Sequence, residues 1–301
     1  MRKKIILSAV SAMIAIAAVI AAVLADISAE PRKTSPFPDT VSVYISGSEQ
    51  IEQMSYEKFV EGCLCGIIPA TGNIYEEQTL AAAAVVINTN ALYSLKNKNA
   101  FEAMGADFAV CDEFPYVSYA DKAVNHADRK LIRSAVKAAG KAYLAFDGEP
   151  VAVKMCAISS GKTRELMFMP SRAIPEDAFA KGYLTERAFS PNKILKMLSS
   201  TGLTGKEPSE WFSEQVYDEY GTLVSVDFLS TRLSGEELRS ALSLKSSAIS
   251  IEYRDETFFF QCKGNGDNAG MSLNAANIAA KNKKSYDEIL AEFYPLELIS
   301  P

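Results

Sequence analysis

The chain has 301 residues and a formal net charge of -6, with no stripe of Lys and Arg along it. That balance excludes a nucleic-acid partner, because neutralising phosphates requires clustered cations. It also makes binding of an anionic polymer by charge alone a poor fit. The single histidine, His126, lies in the polar stretch Asn125–Arg129 and reads as a surface residue opening a helix. Ser-His-Asp and Cys-His chemistry would therefore have one base and no visible group to orient it.

The elements follow in chain order. Met1-Arg2-Lys3-Lys4 is basic, and Ile5 to Ala25 carries no charge and is rich in Ala, Ile and Val. About 20 apolar residues cross a bilayer as one helix, so residues 1–25 are expected to be an N-terminal membrane anchor. A cleaved signal, cut near Val23-Leu24-Ala25, is the alternative. Under the positive-inside rule the basic end stays in the cytoplasm and the bulk of the chain lies outside. Residues 26–40, with SAEPRKTSPFPDT from Ser28 to Thr40, read as a polar, proline-rich linker that should not pack. Residues 41–301 remain as one large domain or two lobes.

Val41 to Tyr44 alternates as a strand. Ser55 to Cys65 begins with a capping serine and sets Tyr56, Phe59, Val60, Cys63 and Leu64 at helical spacing. Pro69 and Gly72-Asn73 break that helix. Glu76 to Leu95 is a strong helix whose alanines permit close packing, and Ala127 to Ala139 is another, stopped at Gly140. Ala142 to Phe146 and Val151 to Ile158 read as strands around the Asp147-Gly148 turn. Leu223 to Phe228, Ala248 to Tyr253 and Thr257 to Lys263 are further strands, and Asp255-Glu256 turns the last two. Ser234 to Ser243 is a short capped helix. Lys263 to Asn282 (KGNGDNAGMSLNAANIAAKN) is a glycine-rich loop running into a small-residue helix, and Ser285 to Phe293 is a closing helix. Helices and strands mix without βαβ alternation, so the expected class is α+β, with mixed helices and antiparallel strands.

The cysteines are Cys63, Cys65, Cys111, Cys156 and Cys262, an odd number without CxxC or Cys/His spacing. They read as small buried hydrophobes; one disulfide or a metal site is the alternative. No cofactor and no metal are expected.

Read as a set, these segments resemble the stage II sporulation protein D (SpoIID/LytB) family. Tyr56 to Ala70 (YEKFVEGCLCGIIPA) is similar to the family's opening helix and its Glu-Met-Pro-Ala signature. Leu80 to Leu92 (LAAAAVVINTNAL) is similar to its alanine-rich second helix. Phe108 to Tyr119 (FAVCDEFPYVSY) falls where the family carries Tyr-Asp-Val-Cys-Asp and a second Cys. Ala157 to Thr163 (AISSGKT) resembles its Ser-Ser-Gly-Gly-x-Thr loop. Ser234 to Arg239 and Leu242 to Ile251 resemble the helix and strand before its last loop. Gly264 to Ser272 resembles its Gly-x-Gly-His-Gly-Val-Gly-Met-Ser, and Ser285 to Pro295 its final helix. The likeness runs from Val43 to Leu298. No single motif is specific; seven in order carry it.

The resemblance implies a membrane-tethered lytic transglycosylase of peptidoglycan glycan strands. One carboxyl protonates the glycosidic oxygen and then helps the sugar's own 6-hydroxyl attack, leaving a 1,6-anhydro end. Such a group needs hydrogen-bond reach and a pKa near the working pH. At the matching positions that chemistry is missing. The acid falls on Ile67, and the arginine of the second helix on Asn88. The second metal-binding Cys and its neighbouring His fall on Tyr116 and Pro115, leaving Cys111 alone. The loop His falls on Asp267 and the next Gly on Asn268. Glu61 is six residues before Ile67, about 240° away around a helix, and Glu76 and Glu77 suit a helix start better than catalysis.

The reading that results is a catalytically inactive relative, a tethered glycan-binding or scaffold protein at the cell wall. Its expected substrate-binding residues are Ser159, Ser160, Gly161, Thr163, Gly266, Asp267, Gly270 and Ser272, in loops offering backbone donors and hydroxyls. Glycan strands, the membrane, and other cell-wall or sporulation proteins are the expected partners. An active transglycosylase with rearranged groups and an interaction module without glycan binding are the alternatives.

Overall fold

The computed structural model describes residues 35–45, 49–68, 74–97, 105–110, 124–198 and 205–301. The expected anchor, the Pro69–Asn73 break and the segment holding Cys111, Pro115 and Tyr116 lie outside the described residues. Among the described residues no helix is long and apolar enough to cross a membrane.

Strand β1 (Thr40–Ile45) pairs antiparallel with β2 (Gln50–Ser55). Ser55 ends β2 and caps helix α1 (Tyr56–Ile67), its hydroxyl accepting the Lys58 N–H at 3.2 Å. That bond satisfies one of the orphan donors of the first turn. Tyr56, Phe59, Val60, Cys63 and Leu64 are buried, as their spacing predicts. Helix α2 (Glu77–Lys96) is buried on nearly every side, the state expected of a helix without a polar face. Strand β3 (Phe108–Val110) joins β1 in parallel. Helix α3 (His126–Ala139) opens on Asn125, whose side chain accepts the Asp128 N–H at 2.9 Å, and stops at Gly140 with φ +55°. His126 is exposed. Strands β4 (Tyr143–Phe146) and β5 (Glu149–Pro150) form the expected hairpin around Asp147-Gly148.

Helix α2 carries three consecutive polar residues in its apolar interior, Asn88, Thr89 and Asn90, exposed by 0%, 0% and 2%. Each ties the helix to neighbouring backbone. The Tyr56 hydroxyl donates to Asn88 Oδ1 at 3.0 Å, and Asn88 Nδ2 donates to the carbonyls of Gly140 (3.1 Å) and Ala142 (2.9 Å). The Thr89 hydroxyl accepts the Leu144 N–H at 2.9 Å. The Asn90 amide meets both backbone groups of Val153, at 2.9 and 3.0 Å. Since an unpaired buried polar group costs about 1–3 kcal/mol, these side chains fix the register of α2 against the strand layer.

The Asn90 bonds also explain why the strand expected at Val151–Ile158 is absent. Val153 spends its N–H and carbonyl on a side chain, so ladder pairing there shrinks to β6 (Met155–Cys156). A second boundary differs too. Phe37, inside the expected linker, is 4% exposed, with its ring 5.0 Å from Tyr56 and 5.9 Å from Tyr143. Phe37 therefore packs into the domain and is not part of a spacer.

Between Phe37 and Ser300 the apolar side chains gather into two cores. The main one joins α1, α2 and α3 to β1 and β4, and to helices α6 (Leu273–Lys281) and α7 (Tyr286–Phe293). Strand β14 (Glu297–Ile299) closes the β14-β4-β5 sheet. The second core belongs to one excursion of the chain, from Leu184 to Lys263. It holds β7 (Leu184–Phe189), α4 (Pro191–Met197), β8 (Phe212–Tyr217), β9 (Leu223–Phe228), β10 (Thr231–Ser234), α5 (Gly235–Ala241), β11 (Ile249–Arg254) and β12 (Thr257–Lys263). Two three-stranded antiparallel sheets, β10-β9-β8 and β11-β12-β7, contribute its side chains. Aromatic rings fill it: Trp211 stacks on Phe258 at 5.6 Å, and Phe212 meets Phe258 and Phe260 edge-on at 5.3 and 5.5 Å. Burying each such ring stabilises the lobe by roughly 1.5–3 kcal/mol. The α+β class is as expected.

Strands β7 and β12 are antiparallel neighbours, with Leu184 opposite Lys263. The excursion therefore returns to where it left, and it delivers the residues before Leu184 beside those after Lys263.

Candidate functional site

That return brings together two loops that lie about a hundred residues apart in the chain. Ile158 and Asn265 exchange both backbone bonds, at 3.1 and 2.7 Å. The Ser160 N–H donates to Asn268 Oδ1 (2.9 Å), and Asn268 Nδ2 donates to the Lys162 carbonyl (3.0 Å). Strand β13 (Met271–Ser272) then pairs in parallel with β6. The Ser159–Thr163 and Gly264–Ser272 loops form one structure.

The glycines are what let the two backbones touch. A Cβ on Gly270, at φ +66°, would lie 1.8 Å from the Lys154 carbonyl oxygen. A Cβ on Gly264, at φ +81°, would lie 2.7 Å from the Ile158 oxygen. Neither distance is tolerable, and both φ values are in the region that favours glycine. Gly266 packs against Cys156, and its N–H donates to the Lys245 carbonyl at 2.8 Å.

Seen in this cluster, the expected binding residues divide. Ser159, Thr163 and Ser272 are buried, with exposures of 0%, 1% and 0%, and their hydroxyls serve the fold. Ser159 Oγ accepts the Gly161 N–H, Thr163 Oγ accepts the Arg172 N–H, and Ser272 Oγ caps α6 through the Ala275 N–H. Gly270 is buried as well. Ser160, Gly161, Gly266 and Asp267 are partly exposed. The backbone donors expected of this loop are largely spent inside it, since the N–H groups of Ser159, Ser160 and Gly161 all have internal acceptors. The Ser160 hydroxyl oxygen is itself shielded from solvent and has no hydrogen-bond partner among the described residues.

The electrostatics are those of a held scaffold. Asp267, at the position that the resemblance matches to a loop histidine, pairs with Lys154 at 2.5 Å. Asp177, in the 3-10 turn Pro175–Phe179, is fully buried beneath the loops. One of its oxygens accepts the Ser159 N–H at 2.7 Å and the other the Asn274 amide at 2.9 Å. Burial, then the charges of Asp267 and Asp177, pushes the Cys156 thiol well up. It stays protonated and is no nucleophile, which requires the thiolate. Burial pushes the Tyr75 hydroxyl up to about 12, with smaller contributions from Cys156 and Asp177. Tyr294, raised mainly by burial, donates its hydroxyl to the Lys154 carbonyl at 2.6 Å and accepts the Met271 N–H.

Of the positions that the resemblance matches to catalytic groups, Asp267 lies in this cluster, and the other two belong to the main core. Ile67 packs partly buried against the main core, and Asn88 is sealed inside it. Among the neighbouring acids, Glu61 pairs with Arg133 at 3.4 Å, and Glu77 accepts the Ser134 hydroxyl at 2.6 Å. Sequence reading missed Asp177 and Tyr183, whose hydroxyl donates to the Ser160 carbonyl at 3.0 Å. Neither stands in a motif; only the fold brings them to the loop.

No family model matches the chain. Stage II sporulation protein D of Bacillus subtilis (strain 168) is 23% identical over 286 residues, covering 88% of this chain and 80% of that protein. Stage II sporulation protein D of Bacillus amyloliquefaciens is 23% identical over 273 residues, 85% of this chain and 77% of its own. The chain is a distant relative of stage II sporulation protein D. The shared span takes in most of the chain, as the order of motifs had suggested.

Proposed function

We propose that this chain acts in sporulation as a membrane-tethered, extracytoplasmic protein at the cell wall, holding peptidoglycan glycan strands without cutting them. The observation that carries this reading is Asn88. Where the resemblance puts the arginine of the second helix, a buried amide makes three hydrogen bonds, to Tyr56, Gly140 and Ala142, and serves the scaffold. Ile67, in place of the acid, has no proton to transfer. The two joined loops keep their shape, and the partly exposed Ser160, Gly161, Gly266 and Asp267 form the surface on which a strand would rest.

The expected result with the full chain in detergent is co-sedimentation with peptide-free glycan strands. Absence of any strand binding would remove the glycan from this reading and leave a scaffold for proteins. The tether is tested separately. The basic Met1–Lys4 and the apolar run to Ala25 orient the domain outward. Protease added to intact protoplasts should therefore digest the domain, and a protected domain would refute the orientation.

A further inference from the structure

Leu166 and Met169 exchange both backbone bonds at 2.9 Å, which closes a two-residue turn of Met167 and Phe168. Phe168, the second of the two, has φ +63°. Glycine or asparagine is the usual occupant of such a position, and a bulky residue there is an outlier. Met167 beside it is 77% exposed. The Phe168 ring lies 5.0 Å from that of Phe146, which ends β4 and is 49% exposed. The turn is firmly held, since Met169 is buried and its sulfur accepts the Lys154 N–H at 3.1 Å. Backbone strain persists only where its surroundings fix it, and it collects where function needs a particular side chain. Here it presents a small apolar tip made of Met167, Phe168 and Phe146.

What the tip meets follows from its size and its place. A stable protein interface buries about 800 Å² per partner, and two partly exposed rings with one methionine fall short of that. A bilayer needs no matching surface, and apolar side chains enter its headgroup region. Residues 26–36 join the apolar run ending at Ala25 to Phe37, and they can span at most about 40 Å. The Phe37 ring is 5.9 Å from that of Tyr143, which opens β4, and Phe146 ends that strand about 10 Å farther on. The tether therefore keeps the tip within reach of the lipid surface. Asp147 and Glu165, its near neighbours in the chain, are exposed, so attraction to anionic headgroups is not what holds it. We propose that Met167, Phe168 and Phe146 dock the domain on the outer lipid surface of the membrane that holds its own anchor. This inference rests on the tether reading above and adds a second contact to it.

The test reconstitutes the full chain into phosphatidylcholine vesicles, with and without bromine on the acyl chains. Met167→Trp supplies the probe, because the chain's one tryptophan, Trp211, is buried. The expected result is loss of the new tryptophan's emission in the brominated vesicles, unchanged by high salt. Val224→Trp, at a 47% exposed site on β9, should keep its emission. Adding Phe146→Glu to Met167→Trp should restore emission while the chain still floats with the vesicles. A chain that floats yet keeps its emission at position 167 overturns the lipid contact and leaves the tether in place. Equal loss at positions 167 and 224 also overturns it, as does a loss that survives Phe146→Glu. An unmodified chain that does not float with the vesicles overturns the tether reading, and the lipid contact with it.

Discussion

Gly270→Ala is expected to lower stability by about 3 kcal/mol or more, a large part of the roughly 5–15 kcal/mol that holds a domain folded. Two effects add. The alanine must adopt φ +66°, a conformation that L-residues enter at a cost of about 1 kcal/mol. Its Cβ must also displace the Lys154 carbonyl from 1.8 Å. That carbonyl cannot yield cheaply, because it accepts the Tyr294 hydroxyl at 2.6 Å and the Met271 N–H at 3.2 Å. Moving it would pull apart β6 and β13 and the joined loops they support. Gly148→Ala is the matched control. Gly148 has a similar φ of +77°, yet an added Cβ there meets nothing within 4 Å, so only the backbone effect of about 1 kcal/mol remains. Urea unfolding followed by circular dichroism compares the two. Equal midpoints for both variants would show that the close approach at Gly270 contributes nothing.

Much of this fold is legible in the sequence, and particular residues show why the rest is not. The helices declare themselves through spacing and caps: Ser55 before α1, Asn125 before α3, and the reciprocal Ser234–Glu237 and Ser285–Glu288 boxes before α5 and α7. Strand β12 alternates cleanly, with Phe258, Phe260 and Cys262 inward. Strands β7 and β8 carry no such signal. Each buries one of its six residues, Phe189 and Phe212, and β8 is interrupted near Glu214 at φ +47°. An edge strand with one inward side chain has no period to detect.

The site was half legible for a different reason. The glycines of Gly264–Ser272 announce a close backbone approach, but what they approach is the segment from Lys154 to Ser159, which only the return of β12 beside β7 reveals. The run Asn88-Thr89-Asn90 was readable in principle. Three polar residues inside a helix apolar all round must be bonded if they are buried, and that rule assigns them to the scaffold. Asp177 and Tyr183 gave no signal, because their partners Ser159 and Ser160 are 18 and 23 residues away without regular spacing.

The second large effect is an absence of cleavage. Loss of one general acid typically costs about 10²–10⁴ in rate. On the proposed reading Ile67 stands where the resemblance puts the acid, Asn88 where it puts the arginine and Asp267 where it puts the loop histidine, so none of the three positions holds the group assigned to it. Asp267 is no replacement while it pairs with Lys154, and Asp177 has both oxygens engaged under the loop. Restoring the acid alone should not restore turnover. Ile67→Glu would place a carboxyl against the main core, while position 88 still holds an amide committed to internal bonds. The direct measurement is release of 1,6-anhydro-muramyl ends from peptide-free glycan strands, read by mass spectrometry after prolonged incubation with the full chain. The expected result is none, from the unmodified protein and from Ile67→Glu alike; sustained release by the unmodified protein would contradict the account.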